Sequence, residues 1–324
     1  MKKLLQISAL LLVTGVILTS AGLYWAHRDN VTATAIYGII EENLKLDDSI
    51  VEYAPPERFD FGSMKNEASN GKYESELNEF NTLELYSDNC EIDISVTDEY
   101  KLTATANGCS LTAGITGGRL HIQAIGSSDE GTLKIVLPDS CKGGFVIKAS
   151  DSTITLDSVE SAMDMSFNIK NSKLSGKSLA ADNITVMTSG SSLSAENISA
   201  LDSLRIDGES SEFNIKKLAA KSTGFTVNST TADISDISGT ITANARMSAL
   251  SLGFSKISGN IGLEAYGTTA NVKLPKNGDL TLRHSESYGI FSDKTNPAQN
   301  AHENSTDGYT METNIKFGIV TAAN

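Results

Sequence analysis

A chain of 324 residues carrying a net charge of −14 and a pI near 4.7 lacks the clustered Lys and Arg that binding nucleic acid through its phosphates requires. Its composition, 40% hydrophobic but only 6% aromatic, suits thin cores filled by aliphatic side chains rather than by large rings. The acidic balance favours solubility, cations or basic partners.

The N-terminus carries Lys2 and Lys3, then residues 4–26 without one charged side chain, closed by Tyr24, Trp25, His27 and Arg28. A helix needs about 20 apolar residues to cross a bilayer, and leading lysines favour an inside N-terminus. The segment is therefore expected to be a single transmembrane helix in the cell membrane, with everything after Arg28 extracytoplasmic. The rival reading is a signal peptide cleaved near Thr19, Ser20 and Ala21, which would leave the rest secreted. No Cys closes the apolar run, so lipoprotein attachment is not supported.

Residues 31–46 place Ile36, Ile39, Ile40, Leu44 and Leu46 at helical spacing, which predicts a short amphipathic helix ended by Pro55 and Pro56. Residues 62–79 are rich in Asn, Ser, Glu, Lys and Gly and read as a stalk. The expected organisation is an anchor over 1–28, a juxtamembrane helix and flexible stalk over 29–80, a capping β region over 81–144, and solenoid repeats with a C-terminal cap over 145–324.

In the capping region short alternating runs appear: LELYS, EIDISV, KLTATA, LHIQAI and TLKIVLP. The stretches 92–96 and 101–106 read as a hairpin turning at Asp98 and Glu99. Such a hairpin would bring Cys90 near Cys109, and in an exported protein the pair would be either a disulfide or two semi-buried thiols. With Cys141 these are the three cysteines of the chain, and without a nearby His they make a poor metal site.

From 147 to 290 one phrase returns every 19 to 20 residues. Its apolar anchors are Ile154, Leu174, Leu193, Phe213, Ile234, Leu252, Val272 and Ile290. Seven residues before the first seven anchors stand Ile147, Phe167, Val186, Ile206, Val227, Ala245 and Ala265. Five residues after them stand Val159, Leu179, Ile198, Leu218, Gly239, Ile257 and Asn277. Inward positions that recur at this period predict stacked coils, each burying a face that one coil cannot bury alone. The fold class is accordingly all-β: a parallel β-solenoid, or β-helix, with an N-terminal β cap. Ser, Thr, Asn and Gly fill the bends, where their side chains bond the local backbone. A polar excursion over 294–309, long for a bend, reads as a mobile loop or else a functional one before a last strand at 313–321.

For chemistry, stacked coils bring equivalent outward residues about 4.7 to 4.9 Å apart. One column reads Thr153, Lys173, Ser192, Glu212, Asp233, Ser251 and Asn271. Glu212 and Asp233 are its adjacent acids, placed either to share a calcium ion, to act as an acid/base pair, or simply to be solvated. The next column, Thr155, Ser175, Ser194, Asn214, Ser235, Gly253 and Lys273, carries no carboxylate. It offers the small hydroxyls and amides of a carbohydrate-binding or self-associating face, or of plain solvated sheet. His27, His121, His284 and His302 stand far apart, and no nucleophile elbow, phosphate loop or calcium repeat occurs. No catalytic, cofactor-binding or metal residue is assigned.

The phrases ISDISGTITANARMSALSLGFSKISGNIGLEAYGTTANVKLP and LKIVLPDSCKGGFVIKASDSTITL, with strands ending in Leu137-Pro138 and Leu274-Pro275, resemble the bacterial putative-adhesin family, a β-strand-repeat domain of unknown function. The resemblance spans about residues 83–320 and fits membrane-tethered Gram-positive members. It implies a surface β-solenoid without established catalytic residues. The expected function is therefore non-enzymatic display of a surface for adhesion, envelope interaction or sensing, the partner being a cell-envelope polymer, glycan or surface protein. The alternatives are a β-helical polysaccharide lyase or hydrolase using Glu212 and Asp233, and a structural or regulatory partner of other membrane proteins.

Overall fold

The computed structural model describes residues 66–68, 71–76, 80–97, 101–126, 131–138, 143–161, 163–275, 280–287, 289–294 and 308–323. The segments 4–26 and 31–46, Cys141 and most of the 294–309 excursion lie outside them. Among the described residues there are only strands and connections, and no helix is long and apolar enough to cross a membrane.

The N-terminal strands are β1 (Asn66–Ala68), β2 (Gly71–Glu76), β3 (Thr82–Asp88), β4 (Glu91–Thr97), β5 (Lys101–Asn107), β6 (Cys109–Thr116), β7 (Arg119–Gly126) and β8 (Thr132–Pro138). The middle strands are β9 (Gly144–Ser150), β10 (Thr153–Glu160), β11 (Asp164–Lys170), β12 (Lys173–Ser189), β13 (Ser192–Glu209), β14 (Glu212–Ile215), β15 (Leu218–Asn228), β16 (Thr231–Ile234), β17 (Ile237–Arg246) and β18 (Ala249–Gly253). The chain ends with β19 (Ile261–Tyr266), β20 (Thr269–Lys273), β21 (Leu280–Ser287), β22 (Ile290–Lys294), β23 (Tyr309–Lys316) and β24 (Ile319–Ala323).

These strands stack as a parallel solenoid. Each coil lays one strand on a first face, turns a tight corner onto a second face, and in the middle coils bends again through a third. The first face aligns Ile147, Phe167, Val186, Ile206, Phe225, Ala243, Leu263 and Thr313. The second aligns Ile154, Leu174, Leu193, Phe213, Ala232, Leu250, Ala270 and Val320. The third aligns Val159, Leu179, Ile198, Leu218 and Ile237. All are buried, so continuous rows, apolar except at Thr313, form the core that no single coil possesses.

The rows differ from the sequence expectation in one respect. Beyond Phe213 the expected anchors Ile234, Leu252 and Val272 stand two residues past the true partners Ala232, Leu250 and Ala270. The columns Val227, Ala245, Ala265 and Gly239 are displaced in the same way. Aliphatic size favoured Ile234 over Ala232. A slip of two keeps every side chain on its own side of the sheet, so the predicted burial survives while the predicted neighbours change. Ile290 is a one-residue error instead: it pairs with Ile319 and stands 54% exposed, and Phe291 continues the inward row beside Val320.

The described corners between the first and second faces share one device. Asn89, Asp151, Asn171, Gly190, Ser210, Ser229, Met247, Gly267 and Phe317 adopt left-handed backbone, with φ from 47° to 59°. The residue after each is small: Cys90, Ser152, Ser172, Ser191, Ser211, Thr230, Ser248, Thr268 and Gly318. Each hydroxyl from Ser152 to Thr268 donates to the carbonyl two residues before it, at 2.6 to 3.0 Å. It also accepts the backbone N–H of the preceding layer's equivalent, at 3.0 to 3.4 Å. The corner breaks the sheet ladder, and this buried hydroxyl ladder satisfies the backbone groups left over.

Sequence order and spatial order part company at both ends. On the first face the layers run β7, β3, β9 at the N-terminal end and β19, β23, β21 at the other. The second face repeats this as β8, β4, β10 and β20, β24, β22. The layer 82–97 thus lies inside the later layer 119–138, and the layer 309–323 lies inside the earlier layer 280–294. The expected last strand over 313–321 is in fact two strands of a complete layer, cornering at Phe317 and Gly318.

Antiparallel strands close the N-terminal end: β6 covers β7, β1 covers β6, β5 covers β8, and β2 covers β5. Paired edges resist recruiting further chains. β1 and β2 lie in the segment read as stalk, so the cap begins earlier than the composition indicated. The expected 92–96/101–106 hairpin does not form, because β8 lies between β4 and β5, parallel to one and antiparallel to the other.

Candidate binding face of the solenoid

The second face presents a regular outward column. Thr155, Ser175, Ser194, Asn214, Asp233, Ser251, Asn271 and Thr321 stand in register, one per layer. Asp93 and Ser292 extend it at the two ends. Each side chain is half-buried or exposed, because alternation along the strand sends its neighbours inward. At about 4.8 Å per layer the eight positions span roughly 34 Å. Hydroxyls and amides supply all of them but Asp233. The Ser175 hydroxyl donates to Thr155 Oγ1 at 3.3 Å.

Glu212 and Asp233 do not occupy one column. Glu212 stands beside Ser192 and Thr231, and Asp233 stands beside Asn214 and Ser251. Both are exposed, on adjacent layers but offset by two residues along the strand. The lateral contact that a shared ion or acid/base pair invoked is absent, and the two-residue slip described above is the reason. Ser235, Gly253 and Lys273 leave the hydroxyl column for the same reason, and Asp233, Ser251 and Asn271 take their places.

The described histidines lie at opposite ends of the stack. His121, on β7, has Nδ1 3.3 Å from Glu84 Oε2, and Arg119 holds the other carboxylate oxygen at 2.5 Å. His284, on β21, stacks on Phe291 with ring centroids 4.6 Å apart. Among the described residues no group of three or more His, Cys, Asp or Glu is placed to hold a metal ion.

Other polar contacts tie layer to layer. Lys177 reaches Asp157 at 2.5 Å, Lys216 reaches Glu196 at 3.1 Å, and Ser203 donates to Asn183 Oδ1 at 2.6 Å. The Asp157 carboxylate raises the Lys177 ammonium above its ordinary value. Such exposed pairs contribute little to stability. Asp207 is different and escaped sequence reasoning. It is a carboxylate on an outward position of β13, covered by its neighbours to 6% exposure and paired with Arg205 Nε at 2.7 Å. Its position in the alternating pattern signals an exposed residue, whereas in the fold it is buried.

The family model described as Toastrack DUF4097 matches residues 80–316. No curated protein matches the chain. Among solved structures, the chain is similar to a putative cell adhesion protein from Clostridium sporogenes, at 10% identity over 80% of this chain and 99% of that one, with a TM-score of 0.23. It is also similar to a putative adhesin from Bacteroides fragilis, at 10% identity over 78% of this chain and 95% of that one, with a TM-score of 0.38. A family model that covers every layer from β3 to β23 makes the assignment: this chain belongs to the Toastrack DUF4097 family.

Proposed function

We propose that the protein is a non-enzymatic surface solenoid that binds a cell-envelope glycan along its second face, held at the cell membrane by residues 4–26. The observation that carries this reading is the column from Thr155 to Thr321, with one polar group per layer and no bulky residue interrupting it. A polymer with a short regular repeat meets the same donors and acceptors at every step, so weak contacts accumulate along its length. The net charge of −14 disfavours a polyanion by repulsion. A neutral, hydroxyl- and amide-bearing glycan is the chemistry that fits. The offset of Glu212 from Asp233 withdraws the pair on which a lyase or hydrolase reading rested.

The test is sedimentation of the full chain, in detergent, with intact envelopes and with purified neutral wall glycans. Ser194→Arg and Asn214→Arg, both exposed on the second face, are each expected to weaken binding roughly two- to tenfold, since a good polar contact contributes ~0.5–1.5 kcal/mol. Thr226→Arg, exposed on the first face, is expected to leave it unchanged. Binding indifferent to both second-face variants, or retained only by a protein partner, overturns the proposal.

A further inference from the structure

Cys90 directly precedes β4 and Cys109 opens β6, two strands that do not pair, yet their sulfur atoms stand 2.7 Å apart, and the residues are 4% and 1% exposed. Their surroundings show a built site. Cys90 occupies the corner position immediately before β4, the place that Ser152, Ser172 and Ser191 fill in later layers. Its backbone N–H joins the hydroxyl ladder by donating to Ser152 Oγ at 3.2 Å. In the next layer outward the equivalent residue is Gly131, since Glu91 pairs with Thr132. A Cβ on Gly131 would lie 2.7 Å from Cys109 Sγ. The slot that a ladder side chain would fill at 131 is thus occupied by the Cys109 thiol, reaching in from the first residue of cap strand β6.

We propose that Cys90 and Cys109 are a covalent crosslinking site, whose disulfide rivets cap strand β6 to the layer formed by β3 and β4. The co-reactant is an external disulfide, either a small thiol disulfide or an oxidised thiol–disulfide exchange protein. One cysteine thiolate attacks the external disulfide, giving a mixed disulfide and releasing one external thiolate. The second cysteine thiolate then attacks the protein sulfur of that mixed disulfide. The Sγ–Sγ bond forms, the second external thiolate leaves, and both leaving groups take up the protons that the two cysteines gave up. The protein loses two electrons and the external disulfide gains them.

Closure from 2.7 Å to a bond of about 2.05 Å requires a shift of only ~0.7 Å. Burial pushes both thiols up, with the neighbouring thiol adding to the rise at Cys90. Because the thiolate is the attacking species, exchange belongs to the folding chain, before β6 docks. Once the cap has closed, the same burial shields the bond from reductant. The rivet acts where the solenoid most needs it, since an opened cap would release the edges of β7 and β8. This inference stands apart from the glycan reading, because neither cysteine lies on the second-face column.

The experiment uses the full chain carrying Cys141→Ser, so that only this pair remains. It is refolded with oxidised glutathione, then unfolded in denaturant with an alkylating reagent. Expected are no labelled cysteine before reduction, two after it, and a bridged peptide joining Cys90 to Cys109. Two labelled thiols without reduction overturn the proposal. The oxidised protein is also expected to melt roughly 5–10 °C above the reduced one, a comparison that needs no further substitution. Cys90→Ser, which places at this corner the hydroxyl that Ser152 and Ser172 carry at theirs, is expected to melt with the reduced protein. If it melts with the oxidised protein, the crosslink does not rivet the cap.

Discussion

The backbone N–H of Ser172 donates to the hydroxyl of Ser191 at 3.1 Å, and that hydroxyl donates to the carbonyl of Ser189 at 2.8 Å. The hydroxyl also lies 3.1 Å from the carbonyl of Ile169, so one side chain serves backbone groups of two successive layers. The same arrangement repeats from Ser152 to Thr268, and the corner positions of the terminal layers are Cys90, Gly131, Gly289 and Gly318.

Ser191→Ala removes all of these bonds in a buried corner. An unsatisfied buried group costs about 1–3 kcal/mol, so a denaturation midpoint clearly below that of the unmodified protein is expected. Ser191→Thr, which repeats what Thr230 and Thr268 already do, is expected to stay within about 0.5 kcal/mol. Equal losses for Ala and Thr would show that size rather than the hydroxyl matters.

A second prediction concerns Gly208 and Phe213. A Cβ on Gly208 would lie 2.6 Å from Phe213 Cε2, so the ring uses the space that the glycine leaves. Gly208→Ala is expected to destabilise by about 1–3 kcal/mol through overpacking, and Phe213→Leu through loss of ring contacts. Combined, the two are expected to cost less than the sum of the single changes, since each relieves the other. Strict additivity in denaturant unfolding would contradict this.

Met247 turns its corner at φ 47° while 50% exposed. Left-handed backbone costs an ordinary residue roughly 1–2 kcal/mol, and Asn tolerates it best among residues with a side chain. Met247→Asn is expected to stabilise by about 0.5–1 kcal/mol, and Met247→Val to destabilise, as read by thermal melting. Phe317, at φ 53°, offers a poorer site for the same exchange because its ring packs against Tyr266 at a centroid distance of 6.1 Å.

The inserted terminal layers make a topological prediction. Removing residues 308–324 deletes β23 and β24 from between neighbours on both sides. Hydrogen exchange is expected to show lost protection in β21 and β22 as well as in β19 and β20. Removing residues 66–76, which only cover β5 and β6, is expected to loosen those two strands and leave the middle layers protected. Solenoid stability is approximately a sum of nearest-neighbour terms, so each deletion is felt first by the strands it uncovers. Protection of β21 and β22 that survives the first deletion would refute the assigned order of layers.

The repeat, the all-β class, the bends and the inward or outward sense of nearly every side chain were legible without coordinates, because they rest on period-two alternation and on small polar residues recurring every coil. Ile154, Leu174, Leu193 and Phe213 were placed correctly on that basis. Lateral partners were less legible. Ala232 and Ile234 both point inward, so the pattern alone cannot choose between them, and the wrong choice joined Glu212 to Asp233. The burial of Asp207 was not legible either, because alternation assigns a side to a residue and does not tell how far that side is covered.

What the amino-acid sequence determined by itself was a set of interchangeable coils, since each carries the same local instructions for strand, corner and core. Their order at the two ends was decided only by tertiary structure. A coil's hydrogen-bonding edges and apolar face accept any similar neighbour, and it is the closed cap and the inserted terminal layers that select one stacking among the alternatives. The meeting of Cys90 with Cys109 has the same origin: the hairpin that local pattern predicted is not there, and the stacking of β8 against β4 brings the sulfurs together instead.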